Sequence, residues 1–141
     1  MGFTVEYDTR ETLDRNEQGL VLSVVLRWGE TDVRCKAKLD TGAEYCVFAR
    51  EHAENLGLDI ESGHALRLST LTGNTIAYGH EVTMLAMELE LTGICYFFEN
   101  PAIRRSFLGR NGWLNKLQIG IDDTGSSGVV YAGRPRTDPA N

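Results

Sequence analysis

Short runs of apolar and β-branched residues, broken at close intervals by glycine, dominate this chain. Residues 20–28 (LVLSVVLRW) are dense in side chains that favour a strand. Residues 33–39 (VRCKAKL) alternate strictly between apolar and basic, the period of a strand with one face in water. Gly29-Glu30-Thr31-Asp32 between them is a turn signal, so the two segments predict an antiparallel hairpin. Residues 45–48 add a short apolar run. Residues 49–57 (AREHAENLG) hold good helix formers and stop at a glycine suited to a left-handed C-cap, which predicts a helix. Strands are expected at 65–71 and 75–91 around the polar tip Thr72-Gly73-Asn74, and a buried strand at 94–98 (ICYFF). From 100 to 116 the pattern turns helical in pieces, and two last strands follow at 117–121 and 128–132. The expectation is a mostly β domain over residues 1–132 with two short helices, then a polar, disordered tail over 133–141.

Composition narrows the partners. Fourteen Lys and Arg stand against twenty Asp and Glu, a formal charge of −6. Nucleic acid and anionic membrane both favour a basic stripe, so neither is expected as a partner. No apolar run is long enough to predict a transmembrane helix, and the first residues lack a secretory pattern. The three cysteines, Cys35, Cys46 and Cys95, are an odd number with no CxxC pair. They read as reduced thiols packed as small apolar groups, and a cytoplasmic location is expected. His52, His64 and His80 are too widely spaced to suggest a zinc site, so neither a metal nor another cofactor is expected.

The chemistry concentrates in Asp40-Thr41-Gly42-Ala43-Glu44, directly after the alternating strand. A carboxylate at a strand end is exposed yet rigidly held. Thr41 can brace the loop by hydrogen bonds, and Gly42 leaves the backbone open to a close-lying ligand. By itself Asp-Thr-Gly is an ordinary turn sequence. A second element follows some way on: Phe107-Leu108-Gly109-Arg110, two large apolar residues and a glycine before an arginine.

A strand ending in DTGA, followed in this order by apolar-apolar-Gly-Arg, resembles the retropepsin-like aspartic proteases. The resemblance spans about residues 20–121. The predicted helix at 49–57 makes the chain look like the longer cellular and bacterial members rather than the minimal viral enzymes. The resemblance implies a closed or partly open acid-protease barrel and a homodimer that hydrolyses peptide bonds. Asp40 would be the catalytic aspartate, opposite its own copy across a two-fold axis. Thr41 would lock the two catalytic loops together, and Gly42 would lie beside the bound peptide. Phe107, Leu108 and Gly109 would form an apolar layer beneath the loop. Arg110 would pair with Glu44. The hairpin at Thr72, Gly73 and Asn74 falls where the family carries its flap, and Tyr78 on the returning strand is a candidate substrate contact. For the dimer interface, residues 3–7 and 129–131 are the candidate strands.

A second DTG at Asp123-Thr124-Gly125 competes with the first, since a two-lobed monomer would carry two. Too few residues follow Asp123 for a second lobe, and no second apolar-apolar-Gly segment follows it. It reads as a hairpin turn. The alternative to a peptidase is a dimerisation or peptide-binding module of the same fold with little or no catalysis.

Overall fold

The computed structural model describes residues 2–71 and 73–136. Among the described residues, ten strands form two sheets, joined by one α-helix and two single 3-10 turns. Strand β1 (Thr9–Thr12) starts a three-stranded antiparallel sheet completed by β9 (Gln118–Asp122) and β10 (Val129–Gly133), in the order β1-β10-β9. The remaining strands are β2 (Val21–Trp28), β3 (Thr31–Leu39), β4 (Val47–Phe48), β5 (His64–Thr70), β6 (Gly73–Ala86), β7 (Leu89–Phe98) and β8 (Phe107–Leu108). They form a seven-stranded sheet in the order β2-β3-β8-β4-β7-β6-β5. Strand β2 also pairs with β6, from Val24↔Ala86 to Arg27↔Thr83, so the sheet curls back on itself into a partly closed barrel.

The expected β2–β3 hairpin forms, closed by Gly29-Glu30 with Gly29 at φ 60°. Alternation puts Leu22, Val24 and Leu26 of β2 inside, against Ala37 and Leu39 of β3 and Val82, Met84 and Ala86 of β6. Helix α1 (Arg50–Leu56) buries Ala53 and Leu56 against the same core and ends at Gly57, whose φ of 84° lies in the left-handed region. Each fully buried large side chain of this set contributes roughly 1.5–3 kcal/mol. A smaller cluster of Val47, Ala77 and Phe98, with Tyr45, Leu68, Tyr96 and Phe107 packed on it, lies apart from the main core.

Three expectations are corrected. Residues 75–91 are not one strand, because the chain reverses at Met87 and Glu88, both at positive φ (53° and 62°). Ala86 pairs with Leu89, so these two residues are a complete hairpin turn, and β7 runs on through 94–98. Residues 100–116, expected to be helical in pieces, hold the strand β8 and a single 3-10 turn at Leu114–Lys116. Residues 133–136 are not a loose tail. Gly133 closes β10, the Arg134 N–H donates to Asp8 Oδ2 at 3.0 Å, and Arg136 Nη2 meets Asp8 Oδ1 at 2.7 Å. Residues 137–141 lie outside the described residues.

Strand β10 contains residues 129–131 and is paired on both sides by its own chain. A second copy can extend this small sheet only at the outer edges of β1 or β9.

Candidate active site

Strand β8 slots between β3 and β4, two strands that are neighbours in sequence. It runs parallel to β3, with Lys38↔Phe107 and Leu39↔Leu108 in register, and antiparallel to β4. The connection from β3 to β4, residues 40–46, must therefore pass over the end of β8. That crossing carries Asp40, Thr41, Gly42, Ala43 and Glu44.

Main-chain bonds hold the crossing from below. The Asp40 N–H donates to the Leu108 carbonyl at 3.0 Å, and the Leu39 N–H to the Leu20 carbonyl at 2.8 Å. The Arg110 N–H donates to the Ala43 carbonyl at 2.9 Å, and the Asn111 N–H to the Glu44 carbonyl at 2.8 Å. The loop lies so close to Gly109 that a Cβ there would sit 2.7 Å from the Ala43 carbonyl oxygen and strike the Tyr45 carbonyl. Only glycine fits under the crossing. Leu108 is fully buried and Phe107 half-buried beside it, so the apolar layer beneath the loop is in place.

Asp40 itself is half-buried. Its Oδ1 accepts the Gly42 N–H at 2.8 Å, and its carbonyl accepts the Ala43 N–H at 3.2 Å. Among the described residues, Oδ2 has no hydrogen-bond partner. One carboxylate oxygen is therefore fixed by the loop and the other is left to meet a ligand. A Cβ at Gly42 would stand 3.2 Å from Oδ1, so the glycine also keeps this turn tight. Thr41 is exposed and makes no hydrogen bond among the described residues.

The expected Glu44–Arg110 ion pair does not form. Both side chains point into water, where solvent competes for each charge, and among the described residues neither has an ionic partner. The two segments are joined by the main-chain bonds given above instead.

A cleft of about 570 Å³ opens in front of Asp40. Gly42, Ala43 and Glu44 form one wall; Tyr45, Val47, Phe98 and Phe107 form an apolar floor; Leu66 to Thr70 of β5 form the opposite wall. Tyr45 meets Tyr96 edge to face at 5.1 Å, which fixes the floor's ring. Strand β7 stops pairing with β6 at Ala77↔Phe98, whereas β5 and β6 stay paired out to Thr70↔Gly73. Beyond Ala77 the β5–β6 hairpin is thus a free two-stranded ribbon alongside the cleft. Its turn is one position earlier than expected: Gly73 and Asn74 already belong to β6, Leu71 is fully exposed, and Thr72 lies outside the described residues.

Tyr78 does not line this cleft. Its hydroxyl donates to Glu99 Oε2 at 2.8 Å, a bond that raises the phenol's pKa. The second DTG is far from it as well. Asp123 and Thr124 lie in the connection between β9 and β10; there Asp122 Oδ1, at the end of β9, takes the Thr124 N–H at 3.0 Å and Asp123 pairs with Arg15 at 2.6 Å. The hydrogen bonds to Thr124 hold the Asp122 carboxyl below its usual range. This is a hairpin loop, as its sequence suggested.

One residue absent from the sequence reading belongs to the frame. Ser106 is buried, its carbonyl accepts the Lys38 N–H at 2.9 Å, and its Oγ accepts the Ala49 N–H at 3.0 Å. It links β3, β8 and the start of α1. A serine next to an apolar pair carries no local signal of that role.

A model of the aspartyl protease family matches residues 24–94. No curated protein matches the chain. A retropepsin-like aspartic protease from Rickettsia conorii is similar in structure, with a TM-score of 0.61 at 17% identity, over 85% of this chain and 97% of that one. EIAV protease complexed with the inhibitor HBY-793 is similar at a TM-score of 0.55 and 19% identity, over 73% of this chain and 92% of that one. The barrel, the crossing that carries DTGA and the matching family model lead to one conclusion: this chain is a member of the aspartyl protease family with a retropepsin-like fold.

Proposed function

We propose that the protein is an aspartic endopeptidase that acts as a homodimer, with Asp40 and its symmetry mate as the catalytic pair. The observation that carries this reading is the Asp40 carboxylate, anchored on one oxygen, without a partner on the other among the described residues, and lining a cleft. One chain supplies one such acid, while peptide hydrolysis by this chemistry requires two. A two-fold dimer provides the second.

Two carboxylates about 3 Å apart cannot both ionise, so the pair shares one proton. The ionised member takes a proton from a water as the water oxygen attacks the scissile carbonyl carbon. The protonated member donates its proton to the carbonyl oxygen, giving a neutral tetrahedral diol. Collapse of that diol breaks the C–N bond: the protonated member gives its proton to the leaving nitrogen while the ionised member takes one from a diol hydroxyl as the carbonyl re-forms, which restores the shared proton. Thr41, exposed and without a hydrogen bond among the described residues, would bond to its counterpart across the two-fold axis. The apolar floor of Tyr45, Val47, Phe98 and Phe107 suits an apolar substrate side chain, and the β5–β6 ribbon acts as the flap.

The decisive test is cleavage of a denatured protein at mildly acid pH by wild type and by Asp40→Asn. Cleavage by wild type and none by the variant is the expected result. Equal cleavage by both would refute the assignment. Peptide binding without cleavage by wild type would make the protein a binding module instead.

A further inference from the structure

The ribbon beside the cleft is anchored at its root by one cation. Arg50 opens α1, and its side chain is only 18% exposed. Its Nη1 lies 2.7 Å from Glu61 Oε1 and donates to the Glu99 carbonyl at 3.2 Å, while its Nε is 3.7 Å from Glu54 Oε2 on the same helix. Glu61 sits in the 3-10 turn Ile60–Ser62 that runs into β5. Glu99 follows β7; its N–H donates to the Ile76 carbonyl at 2.9 Å, and its carboxylate takes the Tyr78 hydroxyl. Arg50 thus reaches the 3-10 turn that leads into β5 directly, and β6 through Glu99. It does so at Ile76 and Tyr78, either side of the point where the ribbon leaves the sheet.

The turn before β5 has no slack against β6. A Cβ at Gly63 would strike the Gly79 carbonyl and stand 2.5 Å from His80 Nε2, and that His80 nitrogen is itself bonded to the Ile60 carbonyl at 2.8 Å. Backbone pairing alone would let a two-stranded ribbon swing about its root. Here acceptors from three segments converge on a guanidinium, whose planar fork can bond several at once. Arg50 does not line the cleft, but Leu66 to Thr70 of the strand it anchors do.

We propose that Arg50 is a positioning residue for substrate binding: by fixing the root of the β5–β6 ribbon it sets how β5 stands along the cleft. The inference rests on the peptidase reading for its consequence and on the Arg50 contacts for its cause. Free enzyme then has a preset flap, and loss of Arg50 weakens substrate capture rather than the bond-breaking step.

The test compares wild type, Arg50→Met, Arg50→Lys and Glu61→Gln in peptide cleavage and in amide hydrogen exchange. Arg50→Met is expected to raise KM about tenfold with kcat within about twofold. Lysine, keeping the charge without the fork, should recover part of the loss, and Glu61→Gln should move KM the same way by less. Amides of residues 64–76 should exchange faster in Arg50→Met while those of β2 and β3 stay protected. Unchanged KM with unchanged exchange would overturn the proposal. So would a loss of kcat and affinity that simply follows the unfolded fraction in thermal melts. If wild type cleaves no peptide, the peptidase reading fails, and the exchange comparison alone decides whether Arg50 holds the ribbon.

Discussion

Asp40 and Asp123 begin the same tripeptide, yet their surroundings make them chemically different groups. Asp40 follows a strand locked to β8, keeps one oxygen without a partner among the described residues and faces a cleft. Asp123 lies in a hairpin loop and is neutralised by Arg15, with both side chains about half exposed. Asp123→Ala should therefore leave proteolysis near normal. It should lower the unfolding free energy by at most about 1 kcal/mol, the range of an exposed ion pair, as read from urea denaturation. Gly109 is the opposite case, a residue with no chemistry and no tolerance. Gly109→Ala would force a methyl into the carbonyls of Ala43 and Tyr45, neither of which can move without lifting the Asp40 loop off β8. A loss of about 2–3 kcal/mol is expected, with proteolysis falling further than stability does. The sequence pointed to both aspartates and set Asp123 in a hairpin turn, where the structure also has it, because loop composition is local. It offered no account of why Gly109 must be glycine, since the atoms it would strike lie more than sixty positions away in the chain.

Among the elements, the β6–β7 turn was the least legible. Met87 and Glu88 both take left-handed backbone conformations without being Gly, Asn or Asp. Met87 is held there by burial in the main core, which offsets the strain, so no turn residue marks the position. Glu88 is exposed and gains nothing comparable. Glu88→Gly should thus stabilise the protein by roughly 1 kcal/mol, detected as a higher denaturation midpoint with an unchanged slope. The β2–β3 hairpin and α1 were legible because each announces itself: a β-branched run and a strictly alternating one either side of the turn at Gly29, and helix formers ended by Gly57. The β8 strand was not, for it is two residues long and exists only because β3 and β4 leave a slot for it. The β5–β6 hairpin was expected, but its turn comes one position earlier. Gly73, the natural candidate for a tip, instead starts β6 at φ 127° and pairs with Thr70.

The whole molecule is half of the machine proposed for it. If the active species is a dimer, specific activity should fall on dilution below the dimer's dissociation constant and recover on concentration. Sedimentation at matched concentrations checks the correspondence. A rate independent of concentration, together with a strict monomer, would remove the catalytic pair. Acid sets a second limit. Asp8 is held below its usual range by the Arg134 N–H and by Arg136, Asp32 by Arg27, and Glu61 by Arg50. Groups with depressed values contribute stability above the unfolded carboxylate pKa and lose it as pH falls through their folded values. Stability should accordingly decline below about pH 4, while the proposed pair needs one carboxyl ionised and the other protonated. A bell-shaped pH profile whose acid limb coincides with unfolding, followed by fluorescence, is the expected outcome.

What the sequence determined by itself was the period-2 alternation of the strands, the rigid placement of one carboxylate at a strand end, and the arithmetic of one acid in a chemistry that needs two. Those are properties of covalent neighbours, and the physics that decides them acts over a few residues. Tertiary structure decided the rest. It placed β8 beneath the Asp40 loop, closed β2 on β6, surrounded β10 with its own chain's strands, broke the expected Glu44–Arg110 pair and assembled the Arg50 contacts. Each of these joins segments far apart in the chain, where the free energy of packing and of satisfying buried backbone groups chooses among partners that local pattern leaves equivalent.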